Sequence, residues 1–244
     1  DWSSDVCSSD LGIVRGGDIE WNLNESLTVL DSSKTQFIVG GSFVSKYQED
    51  EDPVFILPEN VGVGAGRINI IHGGLNISAE YAQKINDPSE ANHYIYKNGD
   101  ATILTLNYSQ KGFGISLSGK RIDNMSFRSD RTASLNSLII NYLPAMTKNH
   151  TYILTALYPY ASQPNGEYAV QAEAFYHVKP GTPLGGKYGM DINVNYSQAQ
   201  NIDVNPTGDD YGYTSDFFKT GNEIYFKDIN VEARQKISRS EEHT

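Results

Sequence analysis

The densest group of chemically versatile side chains is a mixed-charge cluster in the middle of the chain. Its members are Lys120, Arg121, Asp123, Arg128, Asp130 and Arg131. They span the end of a predicted strand and the loop after it, where charged rings can constrict a pore and set its selectivity. We favour the alternative of a solvated rim loop, whose ion pairs contribute about 1 kcal/mol or less each. Arg121 and Arg128 are nevertheless the first residues to substitute.

A second candidate is the acidic run Gln48-Glu49-Asp50-Glu51-Asp52, which precedes Pro53. Its carboxylates could hold Ca²⁺, an ion that takes about six to eight oxygen ligands. The run lacks the regular spacing and the glycine turn of a calcium loop, so the sequence favours a solvated external loop. Asp209 and Asp210 receive the same interpretation, because the Gly and Pro residues beside them signal a turn.

The other candidate catalytic or ligand residues do not converge. His72, His93, His150 and His177 are scattered singly, without the HExxH type of metal-ligand spacing. The glycine-rich stretch 62–66 lies inside a strand pattern and opens no helix, so close packing explains it better than a phosphate loop. No Ser-His-Asp or paired-carboxylate arrangement can be nominated from spacing. The sequence therefore predicts no enzyme, and neither a metal nor a cofactor site.

The elements that must position these residues are strands, because alternation with a period of two recurs along the chain. Met190, Ile192, Val194 and Tyr196 share one face, for example, and polar residues occupy the other. No segment sustains a helical period with caps. Eleven strands are predicted, at 12–23, 35–47, 60–71, 74–84, 100–110, 113–122, 135–145, 150–160, 166–177, 187–198 and 222–237. The polar residues expected to face inward include Glu80, Glu173, Asp191, Asn193 and Asn195.

The lengths of the strands and links favour a membrane barrel. Each predicted strand has about ten residues, enough to cross a hydrocarbon core when tilted, whereas strands of soluble domains have about five or six. Tight turns at 72–74, 110–112 and 147–149 mostly alternate with long polar links. Bacterial barrels show this alternation because one rim carries short turns and the other carries longer loops.

Tyrosine placement supports the same interpretation. Tyr residues prefer the headgroup zone, with the ring in lipid and the hydroxyl in water. Nine of them fall near predicted strand ends, mostly on the apolar face: Tyr47, Tyr81, Tyr108, Tyr142, Tyr158, Tyr160, Tyr168, Tyr176 and Tyr196. The alternative is a soluble secreted β-sandwich or adhesin-like binding module with Tyr residues at its edges.

The composition fits an all-β protein. The chain has 16 Tyr and 22 Gly, and its hydrophobic content of 39% is low for a water-soluble α/β enzyme. The formal net charge of −11 argues against a nucleic-acid partner, which needs a basic face. No run approaches the roughly 18 apolar residues of a membrane helix, but alternating strands can cross a membrane without such a run.

Both ends of the chain are predicted to be foreign to the protein. Residues 1–11 read DWSSDVCSSDL and residues 239–244 read RSEEHT. Translation of one strand of a common sequencing adapter gives the first string, and translation of the opposite strand gives the second. Such scars are excluded before the fold is considered. Cys7 lies in the first of them, so the predicted native stretch, 12–238, has no cysteine for disulfides, thiolate chemistry or zinc ligation.

Several long strings resemble a family of uncharacterised outer-membrane β-barrel proteins from Bacteroidetes-type bacteria, known only as a domain of unknown function. The most specific are KRIDNMSFRSDR and LYPYASQPNGE, and GIVRGGDIEWNL near the start is also similar, so the resemblance spans nearly all of 12–238. It implies a barrel and an outer-membrane location, and it implies no activity or catalytic residues.

The sequence therefore predicts an all-β fold, an antiparallel up-and-down meander that forms an incomplete transmembrane β-barrel. The expected partner is outer-membrane lipid, and the expected role is porin-like or transport-associated, with unknown cargo. Because strands are predicted to be missing, we expect a curved sheet that is open or imperfectly closed.

Overall fold

The computed structural model describes residues 12–27, 30, 33–133, 137–150, 152, 154, 160–208 and 211–235. The two stretches predicted to be foreign, 1–11 and 239–244, lie outside the described residues. Asp209 and Asp210 also lie outside them.

The described residues form one antiparallel sheet of nine strands in simple meander order. The strands are β1 (Ile13–Asn22), β2 (Thr35–Tyr47), β3 (Asn60–His72), β4 (Leu75–Lys84), β5 (Gly99–Gln110), β6 (Phe113–Asp123), β7 (Gly166–Val178), β8 (Met190–Pro206) and β9 (Tyr213–Gln235). The helix α1 (Leu23–Ser26) and a 3-10 turn at Glu90–Asn92 are each a single turn. The predicted all-β meander is confirmed.

Two of the predicted strand assignments fail where the chain is described. The predicted strand at 135–145 is wrong for residues 137–145, which make only an isolated bridge between Ile139 and Arg128. Pro144 has no N–H to donate to a neighbouring strand. The Asn141 side chain donates a hydrogen bond to the backbone oxygen of Met125, which holds this stretch as irregular chain. The predicted strand at 150–160 falls mostly outside the described residues, and residues 150, 152, 154 and 160 are not in a strand.

The last two strands extend much further than predicted. The stretch 199–221 was expected to be a polar link, but most of it belongs to β8 and β9, joined by the short connection 207–212. The prediction failed because bulges interrupt the ladder after Ala199 and around Ile202, so apolar residues lose their regular alternation there. The tip of this β8–β9 hairpin therefore projects beyond the other strands.

The sheet has one apolar and one polar face, as its alternating sequence requires. Across the middle of β3 to β7, the register aligns one row of aliphatic residues: Ile70, Ile77, Leu106, Leu117 and Ala172. The row beside it, on the opposite face, is polar throughout: Asn69, Ser78, Thr105, Ser118 and Gln171. The five residues predicted to face inward, Glu80, Glu173, Asp191, Asn193 and Asn195, all lie on the polar face by this register.

The links divide between two rims. At the loop rim lie 48–59, 85–98, 124–165 and 207–212, and at the turn rim lie 23–34, 73–74, 111–112 and 179–189. The two-residue turns are thus confined to the turn rim. In the longest link, 124–165, the described residues 137–150 fold back from the loop rim onto the polar face.

The buried core is small and lies between the polar face and this returning link. Near the loop rim, Met125 packs with Ala101 and Ile122, and Leu143 packs against them. Further along, Met146 packs with Ala169 and Ala199. Within the described residues β1 and β9 do not pair, so the sheet is open, as expected.

Candidate functional site

The six residues of the predicted charge cluster occupy three separate positions around the loop rim. Lys120 lies on the polar face of β6, Arg121 and Asp123 lie at the end of β6 on the opposite face, and the other three lie in the link after it. All are buried except Asp130, which is partly exposed. The burial differs from the favoured expectation of a solvated rim loop, because the long links fold over these side chains.

The first position holds a fully buried ion pair. Lys120 Nζ lies 2.7 Å from Glu167 Oε1, and neither side chain is exposed. The ammonium also donates hydrogen bonds to the backbone oxygen of Pro144 and to Ser162 Oγ, both at 2.6 Å. Glu167 Oε2 accepts hydrogen bonds from Tyr160 Oη at 2.6 Å and from the Gln163 N–H at 2.7 Å. Burial, together with the negative Glu167, raises the pKa of Tyr160.

The second position is centred on the buried carboxylate of Asp123. It accepts hydrogen bonds from Lys97 Nζ at 2.6 Å and from Arg121 Nη2 at 3.0 Å, and Arg121 also pairs with Asp100. From the β8–β9 hairpin, Tyr213 Oη donates at 2.6 Å, and Ser215 makes a further hydrogen bond. This network fastens the projecting hairpin to β5 and β6.

Close packing at Gly166 supports the same attachment. A Cβ atom on Gly166 would stand 2.9 Å from Cγ1 of Ile202, so a side chain at this position would force Ile202 to shift. At the hairpin tip, the Tyr96 N–H donates to the backbone oxygen of Tyr211 at 2.7 Å. The Phe55 ring stacks on Tyr94, with ring centres 4.4 Å apart, and meets Tyr211 edge-on. The hairpin therefore ties together the links 48–59 and 85–98.

The third position lies in the link after β6. The Arg131 guanidinium donates to the backbone oxygens of Gln48, Glu49 and Pro58, and Arg128 Nη1 donates to the backbone oxygen of Ser137 at 2.7 Å. The Gln48 side chain donates a hydrogen bond to Asp130 and accepts one from the Arg131 N–H. Burial would raise the pKa of Asp130, but hydrogen bonds from Thr132 and Gln48 outweigh it and hold that pKa below its usual range.

Two further buried lysines at the loop rim were missed by the sequence reasoning. Lys46 Nζ lies 2.7 Å from Asp87 Oδ2, with both side chains about 1% exposed, and Lys84 donates to the backbone oxygen of Ser126. Both lysines are close to the ends of strands and take polar-face positions. That placement was readable from the alternation, but no local pattern marks Asp87 or Ser126 as the partner.

The described stretch 137–150, which we call the inner arm, runs along the polar face towards the turn rim. After the Met146 contact, Lys148 Nζ lies 3.3 Å from Glu232, and His150 Nε2 lies 3.2 Å from Asp228. Asn195 and Ser197 on the neighbouring strand are fully buried. The arm therefore covers the polar face of β7 to β9. From the sequence, this stretch was predicted to be a further strand of the sheet.

The acidic run uses its carboxylates to shape the link 48–59. Asp52 accepts backbone hydrogen bonds from Val54 and Phe55, which lower its pKa, and Asp50 accepts one from Leu57. Among the described residues, no group of three or more His, Cys, Asp or Glu side chains could hold a metal ion. Gly62 and Gly64 lie inside β3, as the strand pattern indicated.

The fold and these contacts define a single-sheet, all-β protein with an apolar face and a polar face partly covered by its own longest link. Residues 5–244 match a family of unknown function, DUF6029, so the chain belongs to that family. Comparisons with curated proteins and with solved structures gave no match. In the described part of the chain, no helix is long and apolar enough to span a membrane.

Proposed function

We propose that the chain is part of a bacterial outer-membrane β-barrel, in which the apolar face contacts lipid and the polar face lines a lumen. The exposure of the apolar face carries the proposal: Leu104 is 51%, Leu117 44% and Val170 48% exposed. These residues belong to continuous rows across the sheet, and soluble monomers rarely expose large contiguous apolar patches. Lipid would cover them.

The lengths of the strands and the positions of Tyr residues on this face support the proposal. All nine strands have at least ten residues, enough to cross a hydrocarbon core when tilted. Tyr81 and Tyr168 share one row towards the loop rim, and Tyr108 and Tyr176 lie towards the turn rim. The aliphatic rows lie between them, as between the two aromatic girdles of a membrane barrel.

The role that this architecture supports is transport-associated, with the inner arm narrowing the lumen. Polar ladders of Asn, Ser, Thr and Gln line the proposed interior and suit a water-filled passage. The buried pairs at Lys120 and Asp123 hold the links in place at its mouth. We also propose that the barrel is of the Bacteroidetes type and that residues 1–11 and 239–244 are foreign to it.

A matched pair of substitutions tests lipid contact. Leu117→Arg places a charge on the apolar face, and Ser118→Arg places the same charge on the polar face one residue away. If Leu117 faces the lipid midplane, its substitution should cost about 2–4 kcal/mol, and the Ser118 variant should cost much less. Denaturant titration of the protein in lipid vesicles measures both.

The opposite result would favour the soluble alternative, a secreted binding module. In a soluble module whose apolar face meets water, Leu117→Arg would leave stability unchanged and would improve solubility. A soluble β-sandwich would instead bury Leu117 in its core and would be destabilised by the substitution as well, so lipid contact has to be measured directly. Quenching by brominated lipids of a Trp introduced at Leu104, with Thr105→Trp as the control, gives an independent measurement. Equal quenching at the two positions would contradict the proposal.

A further inference from the structure

The polar face is covered on one side and open on the other. The inner arm first passes over β3 to β5 near the loop rim, where Tyr142 and Leu143 border a small cavity that Glu80 also lines, and it then lies over β7 to β9. Nearer the turn rim, the polar face of β1 to β4 keeps an open cavity of about 270 Å³ lined by Glu20, Arg67 and Glu80, together with Asn69 and Ser78. We call this uncovered part of β1 to β4 the open wall. In the proposed barrel, the open wall would face a solute in the lumen.

The open wall carries an arranged group of charges. Arg67 reaches across β2 to Asp18 on β1, with two hydrogen bonds of 2.6 and 2.8 Å, and lies 3.4 Å from Glu20. Gly40 leaves room for the guanidinium in this position, since a Cβ atom there would stand 2.5 Å from Arg67 Nε. Glu80 lies directly opposite Arg67 on β4 and is exposed.

The charges on the open wall do not balance. Three carboxylates, those of Asp18, Glu20 and Glu80, face one guanidinium, which leaves a net charge of −2. Lys120 shares this row but is neutralised by Glu167. The ammonium of Lys84 is buried against Ser126 at the loop rim. A charged wall with low-dielectric surroundings concentrates counter-ions beside it.

We propose that the open wall makes the lumen selective for cationic over anionic solutes, with Glu80 and Arg67 setting the degree of selectivity. The inference rests on the proposed barrel and specifies which solutes it admits. The inference concerns the open wall alone; on β9, under the arm, Lys148 neutralises Glu232. Glu80 attracts cations, and Arg67 opposes it.

The local potential can be measured directly in the whole protein. Cys7→Ser removes the single thiol of the chain, and Ser78→Cys then carries a trifluoromethyl tag in the open wall. Fluorine relaxation is compared in aminomethyl-PROXYL, a singly charged cation, and carboxy-PROXYL, its anionic counterpart. For a net charge of −2 at about 8 Å in physiological salt, the cation should be enriched about fourfold over the anion.

Two substitutions should move this ratio in opposite directions. Glu80→Gln should lower it to about twofold, and Arg67→Gln should raise it to about sevenfold, because each changes the net charge by one. Glu223→Gln removes the same charge from β9, away from the open wall, and should leave the fourfold ratio unchanged. If Glu80 and Arg67 acted only by holding the fold, the two substitutions would not shift the cation-to-anion ratio in opposite directions.

The outcomes separate this inference from the barrel itself. A ratio near one, or a ratio that both variants shift in the same direction, would overturn the cation selectivity while Leu117→Arg still reports lipid contact. Tolerance of Leu117→Arg would overturn the barrel and the passage with it, whatever the ratio. A fourfold ratio with opposite shifts and a destabilising Leu117→Arg supports both.

Discussion

At the scale of residues, burial distinguishes the charged side chains that hold the protein together from those that face solvent. Lys120 and Glu167 are fully buried and satisfied by four further hydrogen bonds, whereas Lys219 and Asp216 pair at the surface with more than half of each side chain exposed. Desolvation makes an unpaired buried charge costly, but it does not affect exposed pairs. The two pairs therefore predict opposite responses to substitution.

Glu167→Gln should lower the free energy of unfolding by about 3–5 kcal/mol, because it leaves the Lys120 ammonium buried without its counter-charge. Denaturant titration measures the loss, and Lys219→Met serves as the control, with no measurable change expected. The double variant Lys120→Met/Glu167→Leu should recover much of the loss, since no charge then remains buried. A double variant as unstable as Glu167→Gln would contradict this account.

The sequence located the charged residues but did not predict their partners. Lys120, Arg121 and Asp123 follow from the alternation of β6, which places them near a strand end. Their partners come from distant parts of the chain: Glu167 from β7, Lys97 from the link 85–98, and Tyr213 and Ser215 from β9. Such pairings depend on how links fold over the rim, and local patterns carry no information about that.

At the scale of elements, strands with an undisturbed period of two were predicted closely. The bounds of β2 to β7 agree with the alternation to within a residue or so, because apolar and polar residues alternate through most of each strand. The failures lie where the period breaks. Pro144 lies in a stretch that packs on the polar face as irregular chain and not as the predicted strand. In β8, bulges break the alternation, although the pairing with β9 continues for several more residues.

The projecting β8–β9 hairpin should loosen independently of the sheet. Tyr213→Phe removes the hydroxyl that donates to Asp123, at an expected cost of about 1 kcal/mol. The Tyr96 N–H, bonded to Tyr211 at the hairpin tip, should then exchange faster with deuterium, because the attachment of the tip is weaker. Exchange in the middle of β4 should not change. Equal acceleration in β4 would mean that the substitution acts on the whole sheet.

At the scale of the whole molecule, the direction of the strands limits how the sheet can close. With nine antiparallel strands, β1 and β9 both run from the loop rim to the turn rim. Direct pairing between them would be parallel, whereas bacterial barrels are antiparallel and have an even number of strands. A second copy in the same membrane orientation would repeat the parallel junction, so an antiparallel closed barrel requires an odd number of further strands.

The chain alone should therefore keep its two edges apart. In a Cys7→Ser background, Ile19→Cys on β1 and Val231→Cys on β9 should form no intramolecular disulfide in detergent, because a bridge needs Cα atoms within about 7 Å. Ile19→Cys with Gly41→Cys, its directly paired residue on β2, is the matched control and should oxidise readily. Mass spectrometry after mild oxidation distinguishes the two variants. Efficient bridging between positions 19 and 231 would show that the nine strands close by themselves, and would contradict both the open sheet and the requirement for further strands.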